Sequence, residues 1–123
     1  MNPLSRFTKS ASFAAKGLSK AWRNEANLRW EILAAIVVIG LAFYLNLSGS
    51  GIAVIILTCT LVISLELLNT MIELISDVLK PRLDHYVAQI KDMTAAAVAV
   101  AALGALGVAA CLLLPPIVHL LWP

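Results

Sequence analysis

"SLELLNTMIELISD", residues 64–77, sets four polar groups into a run otherwise fit for lipid. On an α-helix each residue turns about 100°. From Glu66 to Glu73 the turn is about 700°, some 20° short of two full circles. Asp77 falls about 20° beyond the Glu66 direction and Asn69 about 60° to one side. All four share one face, while Leu65, Leu67, Leu68, Met71, Ile72, Leu74 and Ile75 cover the rest. A helix with this pattern has one chemical face and three sides made for hydrocarbon.

The surrounding composition says where such a helix lives. The chain has 123 residues, 61% of them hydrophobic and 13% charged. Globular domains are about a quarter charged, so this composition is that of a membrane protein. Each transmembrane helix needs about 20 apolar residues. The length therefore holds about three spans and excludes a separate soluble catalytic domain. The start, "MNPLSRFTKSASFAAKGLSKAW", has no apolar core flanked as a secretory signal requires. Cys59 and Cys111 lie in apolar runs without metal-ligand spacing and read as small buried hydrophobes.

Within residues 1–29, Leu4, Phe7, Ala11, Ala14, Leu18 and Trp22 recur at three- and four-residue steps, and Lys9, Lys16, Lys20 and Arg23 lie mostly off that stripe. The pattern predicts a basic amphipathic helix on an anionic membrane surface. Residues 30–47 form the first predicted span, with Trp30 and Tyr44 as interfacial anchors. "NLSGSG" is an uncharged turn, and the second span covers 52–79. Lys80-Pro81 is expected to end it, because proline disfavours helix in the preceding residue. Residues 80–92 read as a polar loop. The third span, 93–114, is rich in alanine and glycine, which let helix backbones approach closely in lipid. Pro115-Pro116 ends or kinks it, leaving a tail with Trp122 at an interface. The expected fold is an all-α membrane protein: a surface helix followed by three transmembrane helices in a single domain.

The nine lysines and arginines all fall within 1–29 or 80–91. The positive-inside rule puts those segments in the cytoplasm and the C-terminus outside. From Ile52 to Glu66 the helix rises about 21 Å, against a hydrocarbon core of about 30 Å. Glu66 thus falls in the inner leaflet, with Glu73 near the headgroups and Asp77 beyond. An ionisable group at that depth costs a few kcal/mol on insertion scales. It could be neutral or lysine-paired, serving only to hold helices together. It could instead act as a general base on a lipid hydroxyl. Interfacial carboxylates could hold Mg²⁺ together with a nucleotide's phosphates. Candidates for opposing cations are Arg6, Lys9 and Lys91. Glu25, at the junction of surface helix and first span, is a further carboxylate, unless it is only the i,i+4 partner of Arg29. Together these residues describe a lipid phosphotransferase. No glycine-rich P-loop of the G-x-x-x-x-G-K-[ST] kind is present. A proton or cation transporter is the rival from another class, and a structural subunit a third. A transport pathway needs polar groups through to the outer leaflet, where these spans are almost wholly apolar. His85 and His119 read as solvated or interfacial, and nothing points to nucleic acid.

Four pieces carry a resemblance: "AAKGLSKAW" (14–22), "WRNEANLRWE" (22–31), "ELLNTMIELISD" (66–77) and "KDMTAAAV" (91–98). In this order and spacing they resemble the prokaryotic diacylglycerol kinase family, small membrane kinases that include undecaprenol kinases. The resemblance implies a homotrimer with active sites shared between protomers, in the bacterial inner membrane. It implies MgATP as phosphoryl donor and a membrane lipid as acceptor. By position it makes Glu66 the catalytic base and Asn69 its polar partner. Glu25 and Glu73 become the metal-binding carboxylates and Lys91 the lysine on the ATP phosphates. Asp92 and Asp77 fall in the supporting shell, with Arg6 and Lys9 near the nucleotide. Diacylglycerol, giving phosphatidic acid, is the expected acceptor, and undecaprenol the alternative. Asn27 and Arg29 resemble the undecaprenol kinase pattern, and Glu31 the diacylglycerol kinase one.

Overall fold

The computed structural model describes residues 2–122, and at 80–83 the backbone alone. Helix α1 is Pro3–Asn24. The Asn2 side chain caps it by accepting from the Leu4 N–H, and Pro3 supplies a φ already suited to a first turn. Leu4, Phe7, Leu18 and Trp22 stand exposed along it, and Ala21 is its one buried residue. An apolar stripe left uncovered by the rest of the chain fits a helix that lies on lipid.

Glu25 is the one non-helical residue between α1 and α2, with φ −109° and ψ 111°. Helix α2, Ala26–Tyr44, begins four residues before the expected 30, because Leu28 is fully buried against the rest of the protein. It ends where Asn46 adopts φ 52°, the left-handed region asparagine tolerates. There Asn46 N–H donates to the Phe43 carbonyl at 3.0 Å and Leu47 N–H to the Ala42 carbonyl at 3.1 Å, satisfying the last turn. Ser48 then caps the next helix by accepting from Gly51 N–H at 3.2 Å. Replacing Asn46 with valine is expected to cost about 1–2 kcal/mol, since a β-branched residue resists this backbone. Asn46→Gly should be neutral or better. Unfolding midpoints in mixed detergent and denaturing-detergent micelles measure both.

The remaining helical backbone falls within Gly49–Leu121, as two apolar arms: α3, Gly49–Leu79, and α4, Asp84–Leu121. They are not one rod. Lys91 Nζ lies 3.7 Å from Asp77 Oδ1, an interval that would measure about 21 Å along a straight helix. Leu113 packs near Ile55 and Ala42 in the buried core. The arms are therefore antiparallel, and α2, α3 and α4 meet at the end opposite the Lys91–Asp77 pair. This is an all-α membrane protein with three helices long and apolar enough to span a bilayer, preceded by α1. Only 11%, 22% and 6% of the apolar stretches of α2, α3 and α4 are buried within the chain. In water that would be an untenable apolar surface; in a bilayer the lipid tails cover it.

Several details differ from the sequence reading. The second span, expected to end at Lys80-Pro81, is helical to Leu79, and the backbone keeps helical geometry through 80–83. Residues 84–92, expected as loop, are helical. They hold no Gly or Pro, Val87 is buried, and His85 and Gln89 are hydrogen-bonded at 3.2 Å across one turn. The helix also continues through Pro115-Pro116 to Leu121. The prolines remove the donors for the Cys111 and Leu112 carbonyls, yet Leu113 and Ile117 on either side pack into the core and hold the segment helical. Cys59 is half-buried, but Cys111 is exposed on the outward side of α4. Gly104 and Gly107 likewise have open space around them, whereas Ala109 packs against the core.

Candidate active site

Helix α3 has 31 residues, about 46 Å, so it outruns a hydrocarbon core of about 30 Å. Along its polar face, cover by the rest of the chain falls from Glu66 to Asp77. Glu66 is buried, with 3% of its surface exposed. Asn69 and Glu73 are half-buried, and Asp77 is exposed. Thr70 on the same face turns its hydroxyl back to the Glu66 carbonyl at 3.0 Å and is thereby occupied.

Other elements bring their own groups to Glu66. Glu25 from the α1–α2 elbow and Asn27 of α2 lie near its carboxyl, as does Glu73 one face-repeat along α3 itself. Glu31, on α2, also lies within charge range of Glu66. Its Oε2 is buried with no hydrogen-bond partner. Neither Asn27 nor Glu31 was assigned a role from the sequence. The available signal was that Glu31 is the one charged residue inside the predicted first span.

Beside this group, α1 and α3 enclose a cleft of about 700 Å³ lined in part by Lys20, Glu25, Thr70, Glu73 and Asp77. On the α1 wall the small residues Ala14, Gly17 and Ala21 leave the cleft its room. Lys91 of α4 reaches the rim through its 3.7 Å pair with Asp77. Both side chains are substantially exposed, and such a pair is worth at most about 1 kcal/mol. It opens readily to a better anion. A second cavity, about 270 Å³ and almost wholly apolar, runs between α2, α3 and α4. Glu31 is its one charged lining residue, with Ala34, Ala35, Ala102, Ala105 and Ala109 leaving the space.

The structure thus gathers Glu66, Glu25, Glu73, Asp77 and Lys91, with Asn69 on the same face. It does not gather all the predicted residues. Arg6 and Lys9 are exposed on the N-terminal half of α1 and do not line the cleft; Lys20 does. Asp92 is exposed and forms no ion pair among the described residues. The Glu25–Arg29 ion pair is also absent among them. Arg29 instead donates to the Trp22 and Arg23 carbonyls at 2.8 and 3.2 Å, and Glu25 is left available to the cleft.

No three acidic, histidine or cysteine side chains among the described residues converge at metal-binding range. Glu25 and Glu73 supply two carboxylates to one open cleft. Mg²⁺ keeps several waters and is commonly held by one or two carboxylates plus substrate phosphates. The donor set fits an ion that arrives with a nucleotide, and does not fit an all-protein cage.

Known proteins resemble this chain over most of its length. Residues 12–113 match the family model for prokaryotic diacylglycerol kinase. A diacylglycerol kinase of Synechocystis is 40% identical over 113 residues, covering 91% of this chain and 65% of that protein. The chain therefore spans a little under two thirds of that relative. The diacylglycerol kinase of Escherichia coli K12 is 33% identical over 96 residues, 78% of this chain and 79% of that one. An undecaprenol kinase of Bacillus subtilis is 35% identical over 99 residues, 80% of each. The match takes in the elbow, the acid face of α3 and Lys91 alike, and the chain belongs to the prokaryotic diacylglycerol kinase family.

Proposed function

We propose that the protein is an ATP-dependent lipid kinase of the bacterial inner membrane that phosphorylates diacylglycerol to phosphatidic acid. The observation that carries this reading is the buried carboxyl of Glu66 next to a cleft shared by Glu25, Glu73 and Lys20. The first can meet a hydroxyl presented from the lipid, and the second can hold a nucleotide presented from the cytosol. N-terminus and residues 80–92 face the cytoplasm in this reading, and the C-terminus faces outward.

Glu66 takes the proton of the lipid hydroxyl. The lipid oxygen bonds to the γ-phosphorus as the bond from that phosphorus to the bridging oxygen of the departing ADP breaks. Asn69, half-buried on the same face, orients the Glu66 carboxyl. Lys91 leaves Asp77 for the phosphates and offsets their charge, with Asp77 and Asp92 as supporting acids. Lys20, on the cleft wall, serves the nucleotide from α1, with Arg6 and Lys9 further along the same helix as outlying cations. Glu25 and Glu73 would hold Mg²⁺, which when bound compensates charge on the phosphate oxygens. Positioning and charge stabilisation carry most of the rate in such transfers. The uncovered outward faces of α2 and α4 leave room for neighbouring protomers, in keeping with a homotrimer whose protomers share sites.

The similarity to an undecaprenol kinase supports a second acceptor, undecaprenol. A proton or cation pathway is disfavoured, because the cavity reaching from Glu31 toward the outer side is lined almost wholly by apolar groups. The test incubates purified protein in mixed micelles with MgATP labelled in the γ-phosphate, and diacylglycerol or undecaprenol separately. Labelled phosphatidic acid is expected as the faster product. Faster labelling of undecaprenol would move the acceptor, and labelling of neither by folded protein would sink the kinase.

A further inference from the structure

Two helices meet at a single extended residue, Glu25, and that residue's own side chain makes no capping bond. Its backbone N–H is tied to the Ala21 carbonyl at 2.8 Å, but its φ and ψ alone set the angle between α1 and α2. Helix α1 has 22 residues, about 33 Å, so an error of about 10° at the elbow swings its far end by about 6 Å. The same error turns the Glu25 carboxylate away from Glu73 and moves Lys20, on the cleft wall.

Arg29 spans this elbow. It sits one turn into α2, and its Nη1 donates back to Trp22 at 2.8 Å and Arg23 at 3.2 Å. Those carbonyls belong to the last turn of α1, where helix geometry leaves acceptors without intrahelical donors. A cation there also meets the negative end of the α1 dipole. One guanidinium therefore fastens the end of α1 to the start of α2 and at the same time forgoes an ion pair with Glu25.

We propose that Arg29 is a positioning residue that braces the α1–α2 elbow and so aims the Glu25 carboxylate into the cleft shared with Glu73. This rests on the reading of Glu25 as a metal-binding group, and it assigns Arg29 no contact with substrate. Two rival roles make different predictions: direct binding of a lipid headgroup, or general support of the fold.

The test uses the full chain in lipid micelles, with Arg29→Ala, Arg29→Lys, Glu25→Ala and the Arg29→Ala/Glu25→Ala double variant. Two quantities are read: the Mg²⁺ concentration for half-maximal lipid phosphorylation, and Mn²⁺ binding in the presence of ATP by electron paramagnetic resonance. Arg29→Ala is expected to raise the first and weaken the second by about tenfold, the scale on which groups that orient metal ligands act. The KM for lipid should move less than about twofold, because bracing acts on the metal side alone. Arg29→Lys, which reaches one carbonyl, should recover part of the loss. In the Glu25→Ala background, Arg29→Ala should add nothing. A raised lipid KM with unchanged Mn²⁺ binding, or additive effects in the double variant, would overturn the proposal. Should Arg29→Ala not fold, Arg29→Lys carries the same comparison. If Glu25→Ala itself leaves Mn²⁺ binding unchanged, the metal role of Glu25 fails. If Glu25→Ala weakens it and Arg29→Ala does not, the bracing role alone fails.

Discussion

Glu66→Gln is expected to fold, bind MgATP as the parent does, and phosphorylate lipid about a thousandfold more slowly, within the span that a lost general base commonly costs. Glutamine keeps the shape of the side chain and its capacity to face Asn27. It removes only the ability to take a proton. A neutral amide is also easier to bury than a carboxylate, and Glu66 is 3% exposed. Stability in detergent should therefore hold or rise, so a loss of rate is not a loss of fold. The informative set is transfer of labelled phosphate to lipid, nucleotide titration and an unfolding midpoint, all on one preparation. A rate within about tenfold of the parent would fall below what a lost base costs and remove Glu66 from the chemistry. The same variant separates the rival classes, since a structural subunit would leave the purified protein's lipid phosphorylation unchanged.

What the sequence shows of this site follows from which relations a helix fixes. Glu66, Asn69, Glu73 and Asp77 belong to one element, so the 100° turn and the rise per residue give both their common face and their order of depth. In the structure the same order holds for their cover by the rest of the chain. Glu25 and Arg29 show the limit. Four-residue spacing pairs them only if both are helical, and Glu25 is not. The break lets Arg29 turn to the end of α1 instead. Asn27 and Glu31 reach Glu66 through the packing of α2 on α3, a relation that no periodicity within α2 contains. Lys20 rather than Arg6 or Lys9 lines the cleft for a similar reason: the angle of α1 decides it, and that angle is set at a single residue. Residues 84–92 carry the opposite lesson. Their polarity reports water, not loop, and a helix that leaves the membrane keeps its backbone bonds while its side chains turn polar.

Glu73→Gln should produce a different defect from Glu66→Gln, and the contrast tests the division of labour on one helix face. Glu73 lines the cleft with Glu25 and is half-buried. With one of two carboxylates gone, the Mg²⁺ concentration for half-maximal activity should rise by about 10- to 100-fold. The maximal rate at saturating Mg²⁺ should recover much of the parent value, because Glu66 still stands at the lipid hydroxyl. Raising Mg²⁺ should do nothing for Glu66→Gln, whose missing function is a proton acceptor. Glu73 also acts on Glu66 through charge, so its neutralisation relieves a repulsion as well as removing a ligand. Glu73→Asp separates the two effects: it keeps the charge and shortens the reach by one methylene. If the ligand role dominates, Glu73→Asp should resemble Glu73→Gln in its Mg²⁺ requirement; if the charge dominates, it should resemble the parent. A Glu73→Gln protein with an unaltered Mg²⁺ curve and a lowered maximal rate would place Glu73 with the base, and would leave Glu25 as the only carboxylate assigned to the metal.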